Sequence, residues 1–329
     1  MSQSTRKIVV DTYGADLGEE IIVRGVLTAL EEYPRLGAVI VGSREVFNKA
    51  IGESNIEKDR IEFIEAEDFI LSTDAPTCVF GGRDKSSMVL ALNTLKQRED
   101  CFAALSPGNT GALFVGSMCR LGLRKGVKAP VLSAAIPTPH DKWICLLDCG
   151  ASLSCTPADL EKFALLGAEF AELAFGTPNP RVGLLSNGRE ENKGSELTKA
   201  AYTLLKKADI NFIGNIESYD LLSEEVEVVV ADGFTGNIML KSVEAVGSAA
   251  IKVVERVSRE LGIENSPEIE KIIDAMSHKF DLNIYGGATF LGTVKPLVKM
   301  HGCSTEATVK SCIEQLIRVE NAANQNAQQ

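Results

Sequence analysis

Two residues stand out by type and surroundings as able to do chemistry. Lys193 lies in the run NGREENKGSEL, where a lysine beside a glycine turn can neutralise a phosphate or a developing oxyanion. The same run also reads as a solvated charged loop ahead of a helix. Asp232 ends the run VVVAD immediately before GFTGN. A carboxylate there can orient a donor or take a proton, and it can equally cap the following helix. Thr235, Gly236 and Asn237 of that segment, and Asn109, Thr110 and Gly111 of SPGNTGA, offer hydroxyl, amide and main-chain donors suited to an oxyanion. Arg83, Lys85 and Ser87 of GGRDKSS form a further anion-binding candidate. His301, in HGCST, is a histidine in a glycine-polar junction and can carry a proton or contact phosphate.

Other chemistries lack their raw material. There is no GxxxxGK[ST] loop, no GxGxxG after the first strand, and no GxSxG or HExxH. No nucleotide cofactor is required, and none is expected. Eight cysteines without a CxxC pair, together with three histidines, give a zinc site little to work with, so no metal is expected. Most of the cysteines read as small core residues, and Cys303 is the candidate for an exposed thiol.

The elements that must position these residues follow the strand–helix alternation of a parallel sheet. KIVVD at 7–11 and GAVIVG at 37–42 read as buried strands, with a helix over 19–33 whose Ile22, Val26, Ala29 and Leu30 share one face. Further strands are expected at 60–66, 101–105, 129–136, 143–148, 181–185, 211–216, 227–232 and 296–300. Helices are expected at 88–97, 112–123, 159–175, 197–207, 305–320, along a long tract to 261, and from Pro267 towards 279. Glycine or polar loops at 11–16, 106–111, 186–194, 232–237 and 285–292 fall at strand-to-helix junctions. Ligands of open parallel sheets gather at such places. The expected arrangement is an α/β enzyme of two joined lobes around a cleft, with the lobe boundary between about 105 and 160 and a return later in the chain. The polar end, 321–329, reads as frayed.

The chain has 329 residues with 34 positive and 45 negative side chains, a formal charge of −11. That balance speaks against broad nucleic-acid binding and against strong attraction to an anionic bilayer. A local basic patch at Arg120, Arg124, Lys125 and Lys128 can still dock an acidic partner. The start runs almost directly into a strand, and no stretch approaches the roughly 20 apolar residues of a spanning helix. A cytoplasmic protein is expected.

In the order GNTGAL (108–113), NPRVGLL (179–185), ENKGSELTKAAYTLLK (191–206), NFIGNIES (211–218), ADGFTGNIMLK (231–241), YGG (285–287) and HG (301–302), the sequence resembles the PlsX family of phosphate acyltransferases along nearly its whole length. The resemblance implies a two-lobed α/β/α architecture like that of isocitrate and isopropylmalate dehydrogenases and of phosphotransacetylases, as a homodimer. It implies reversible conversion of an acyl-carrier-protein thioester and inorganic phosphate into acyl phosphate and free carrier, feeding phospholipid synthesis. It assigns catalysis to Lys193 and Asp232. Phosphate or substrate binding falls to Asn109, Thr110, Gly111, Thr235, Gly236, Asn237, His301, Arg83, Lys85 and Ser87. Family members associate peripherally with the inner face of the cell membrane, and the tract near 243–280 would serve dimer or membrane contact. The chain departs from the usual family motifs at Ala15, Pro107, Arg189 and Ser152. Two alternatives accompany the lipid reading. One is the related component C subunit of glycine, sarcosine and betaine reductases, which forms acetyl phosphate. The other is a noncatalytic carrier-protein binding homologue.

Overall fold

The computed structural model describes residues 6–52, 56–140, 142–152 and 154–326. In chain order the elements are β1 (Arg6–Asp11), α1 (Glu19–Glu32), β2 (Leu36–Gly42), α2 (Arg44–Ile51), β3 (Ile61–Glu65), α3 (Ser87–Gln97), β4 (Cys101–Ser106) and α4 (Thr110–Gly116). They continue with β5 (Val131–Pro137), β6 (Trp143–Leu147), α5 (Pro157–Phe175), β7 (Arg181–Leu185), α6 (Glu196–Leu205), β8 (Asn211–Ile216) and β9 (Val228–Val230). The last are α7 (Gly233–Glu260), α8 (Pro267–Phe280), β10 (Ala288–Leu291), β11 (Leu297–Lys299) and α9 (Glu306–Asn326). Two compact units result, one of residues 1–132 and 285–329, the other of residues 133–284.

The first unit is built on strands in the order β3-β2-β1-β4-β11-β10. All neighbours are parallel except β10 and β11. Parallel strands covered on both faces must be apolar throughout, which is why KIVVD and GAVIVG stand out in the sequence. Ile8, Val10, Ala38 and Ile40 pack with Ile22, Val26 and Leu30 of α1 and with Val309, Ile313 and Leu316 of α9. The alternate residues Val9, Val39 and Val41 point the other way and are equally buried. Helix α3, with Met88, Leu92 and Leu95 inward, packs against β1, β2 and β4. Each such side chain contributes about 1.5–3 kcal/mol by leaving water. The parallel register brings the carboxyl ends of β1, β4 and β11 to one edge, with Lys299 opposite Ser106.

The second unit has the order β5-β6-β9-β7-β8. Strands β6, β9, β7 and β8 are parallel, so the segments following them leave the same edge side by side. Helix α5 covers β6, β9 and β7, and its start is held by a capping box between Thr156 and Asp159. Helix α7 is 28 residues long and packs against α8. Val246, Val253, Val257 and Leu261 remain exposed along this tract. Among the described residues, no helix is long and apolar enough to cross a membrane.

Three expectations need correction. The sheets are mixed: β5 runs antiparallel to β6, and β10 to β11. The segment 285–292, read as a junction loop, contains β10. The polar end is not frayed through 326, because α9 continues to Asn326; residues 327–329 lie outside the described residues. For the glycine-rich segment 285–292, the pairing of β10 with β11 overrides the local signal.

Candidate functional site

In the first unit the carboxyl ends of the strands surround an open cleft of about 770 Å³. Its walls come from the segment after β1 (Tyr13 to Glu19), from Ile70, Leu71 and Ser72, from Pro107 to Gly111 after β4, and from Lys299 and Gly302. Three sequence-identified residues, Asn109, Thr110 and Gly111, therefore do line one cavity. The Asn109 side chain is wholly engaged in shaping it. Its Oδ1 accepts from the Ala112 amide at 3.0 Å, and its Nδ2 donates to the carbonyls of Leu71, Ser72 and Asp74 at 3.1–3.2 Å. What it leaves for a ligand is the loop's main chain. Gly302 lines the cleft beside His301, whose carbonyl accepts from the Ser304 hydroxyl at 2.6 Å.

Arg83, Lys85 and Ser87 do not line this cleft. Arg83 donates to Asp68 at 2.6 Å and to Asp74 at 2.7 Å, so it holds the 68–74 segment against which Asn109 is pinned. Lys85 pairs with Glu67 on the surface. Ser87 is buried, and the Ser106 hydroxyl donates to the carboxylate of Asp11 at 2.6 Å. Asp11 is itself 1% exposed, and burial raises its pKa to about 6 even though the Ser106, Ser87 and Tyr13 hydrogen bonds lower it.

Sequence reasoning missed Lys299. Half-buried at the end of β11, it donates through Nζ to the carbonyls of Pro107, at 3.0 Å, and Met300. Desolvation lowers its pKa to about 8, against the opposing pull of Asp11 and Asp16. The run LVKMHG looks like an ordinary strand end. Only the pairing of Lys299 with Ser106 aims it at the GNTG loop.

In the second unit the segments after β6, β9 and β7 carry the remaining candidates. Asp232 is the N-cap of α7. Its Oδ1 accepts from the Phe234 and Thr235 amides, both at 3.0 Å, and its Oδ2 accepts from the Thr235 hydroxyl at 2.7 Å. The capping role left open by the sequence is thus realised. Gly236 sits against the loop after β6, where a Cβ would come within 2.0 Å of the Asp148 carbonyl oxygen. The Asp148 carboxylate is fully buried and gathers the amides of Gly150, Ala151 and Ser152 at 2.8–3.1 Å. Asn237 packs beside Gly150, and Thr235 is exposed.

Lys193 is exposed, with its amide on the Glu190 carbonyl at 3.0 Å. The turn is fixed by Gly194, whose amide donates to Asn187 Oδ1 at 2.9 Å. Asn215 Nδ2 holds the Glu190 carbonyl at 2.8 Å. Arg189 is drawn away onto Asp220 and the Tyr219 ring, leaving Lys193 as the cation next to Gly194. The Ser186 hydroxyl, at the base of this loop, is buried and meets no partner among the described residues. No group of three or more His, Cys, Asp or Glu is arranged to hold a metal ion among them either.

The family model described as "Fatty acid synthesis protein" matches residues 6–327. The chain is 35% identical to a phosphate acyltransferase of Bacillus cereus, over 94% of this chain and 93% of that one. Among solved structures it resembles a phosphotransacetylase of Streptococcus pyogenes, with a TM-score of 0.62 and 15% identity over 97% of this chain and 94% of the other. A branched-chain phosphotransacylase of Enterococcus faecalis superposes with a TM-score of 0.61 and 15% identity, over 95% and 98% of the two chains. These likenesses correct the expected isocitrate/isopropylmalate dehydrogenase-like fold: the α/β fold is that of phosphotransacetylases. The alternation of strands, helices and glycine-rich strand ends is shared by several α/β folds, so the sequence pattern does not separate the two. With the family model spanning almost every residue and a relative more than a third identical, the chain belongs to the PlsX-type phosphate acyltransferase family.

Proposed function

We propose that this chain catalyses reversible transfer of an acyl group between a carrier-protein thioester and inorganic phosphate. The observation that carries the reading is the 35% identity, over 94% of the chain, to a protein named phosphate acyltransferase. A phosphate oxygen attacks the thioester carbonyl carbon. A carbon–oxygen bond forms, the carbon–sulfur bond breaks, and the proton given up by phosphate ends on the departing thiol. No redox step is involved.

In this reading the loops of Asn109, Thr110 and Gly111 and of Thr235, Gly236 and Asn237 present donors to substrate oxygens, with His301 as a further contact. Lys193 supplies positive charge for phosphate or the tetrahedral oxyanion, and Asp232 orients the reacting groups while holding its helix. Arg83 serves the cleft through Asp74 rather than by touching phosphate. Acyl phosphate then feeds phospholipid synthesis in the cytoplasm. The exposed valines of α7 support a homodimer or peripheral contact with the membrane. Sedimentation and liposome flotation separate those two roles. The reading itself is tested by following carrier thioester with and without phosphate. Loss of thioester only when phosphate is present is expected, and loss indifferent to phosphate sinks it.

A further inference from the structure

Lys299 is the sole cation among the described residues lining the first-unit cleft. Two of its ammonium protons go to the carbonyls of Pro107 and Met300. Those bonds, to neutral carbonyls, fix the nitrogen against the GNTG loop; Asp11 and Asp16 act on its charge from beyond ion-pair contact. The lysine stands opposite Ser106 in the parallel pair β4–β11, so its position is set by strand register rather than by a flexible loop. Behind it Asp11 is buried, with the Ser106 hydroxyl on its carboxylate. Of the two acids that line the cleft, Glu19 is engaged by the Thr12 hydroxyl and the Ser43 amide, and Asp16 acts on the lysine. A lysine that is desolvated, rigidly held and open towards a cavity edged by glycine main chain has the features of a binding contact for a small oxyanion.

We infer that Lys299 is a binding contact for the phosphate that attacks the thioester, a role resting on the proposed acyl transfer. The charge that matters is titratable. Asp11 of β1, Asp16 of the following loop, Cys312 of α9 and Cys303 face the ammonium group, and all four raise its proton affinity while burial lowers it to about 8. Below that pH the lysine is charged and holds phosphate; above it the contact fades. An arginine at the same place stays charged throughout.

The test uses the full chain, wild type, K299M and K299R, with inorganic phosphate as the probe. Calorimetric titration without thioester reads binding independently of turnover, and steady-state kinetics read KM for phosphate against kcat. K299M is expected to weaken phosphate binding, and to raise the KM for phosphate, by about tenfold or more at pH 7, with the KM for thioester unchanged. From pH 7 to 9 the wild type is expected to lose phosphate affinity while K299R does not. K299R also answers for the role should K299M fail to fold. Should the wild type turn over while K299M keeps its phosphate KM, or K299R follow the wild type's pH profile, the inference falls and the acyl-transfer reading stands. Phosphate binding that depends on Lys299 in a protein without phosphorolysis upholds the contact and sinks the acyl-transfer reading instead. A wild type that binds no phosphate overturns the inference outright.

Discussion

Gly14 lies against the backbone of Gly108: a Cβ on Gly14 would come within 2.8 Å of the Gly108 α-carbon. The two loops that edge the first-unit cleft therefore touch main chain to main chain, and Gly14 has φ of +108°, which side-chain-bearing residues rarely adopt. Gly14→Ala is expected to cost about 1–3 kcal/mol in stability and to raise the KM for phosphate, because the loops must part. Denaturant titration with phosphate kinetics on the same variant checks this. An alanine variant with wild-type stability and kinetics would show the contact to be dispensable.

Asp232 has two duties that substitution can separate. Asn caps as well as Asp does, whereas Ala costs about 1 kcal/mol of helix stability. Asp232→Asn is expected to melt like the wild type yet turn over about 100-fold more slowly, and Asp232→Ala to lose both. Full activity in the Asn variant would reduce Asp232 to a cap.

Lys193 is exposed and donates no structural hydrogen bond through its side chain among the described residues. Lys193→Ala is expected to leave the melting temperature within about 1 °C and to lower kcat by about 100-fold. Unchanged kcat in the folded variant removes Lys193 from catalysis.

Glu62 accepts from both Arg98 and the nearly buried Lys7, and these bonds hold its pKa down to about 2. A carboxyl depressed on folding stabilises the protein fully above its ordinary value of 4.5, and the contribution is lost as pH falls towards about 2. Solvent damps part of the effect, since the Glu62 side chain is 41% exposed. Glu62→Gln is expected to lower stability at pH 7 by about 1–2 kcal/mol and to show a shallower loss between pH 4.5 and 2. Unfolding curves across that window read the slope; parallel curves for the two proteins would contradict the assignment.

Much of the fold is legible in the sequence. Buried parallel strands announce themselves as unbroken apolar runs, so β1, β2 and β7 fall where KIVVD, GAVIVG and RVGLL lie. The Asn109 loop is recognisable because local glycines and an amide already encode a tight strand end. The partners of Arg83 and Lys85 are not legible in the GGRDKSS run, because the ion pairs with Asp68, Asp74 and Glu67 involve residues up to 18 positions away. Lys299 stays hidden for the converse reason: its neighbour Ser106 is 193 residues earlier, and only the β4–β11 register joins them. The dehydrogenase-like expectation fails in the same way, since strand–helix alternation says which elements exist and not which fold they complete.

The most direct measurement supplies the purified protein with oxygen-18-labelled phosphate and with acetyl or long-chain carrier thioesters, and follows the products by mass spectrometry. Long-chain acyl phosphate retaining every labelled oxygen, formed in step with free carrier thiol, is the predicted result. Unlabelled free acid, or thiol released at the same rate without phosphate, would contradict it.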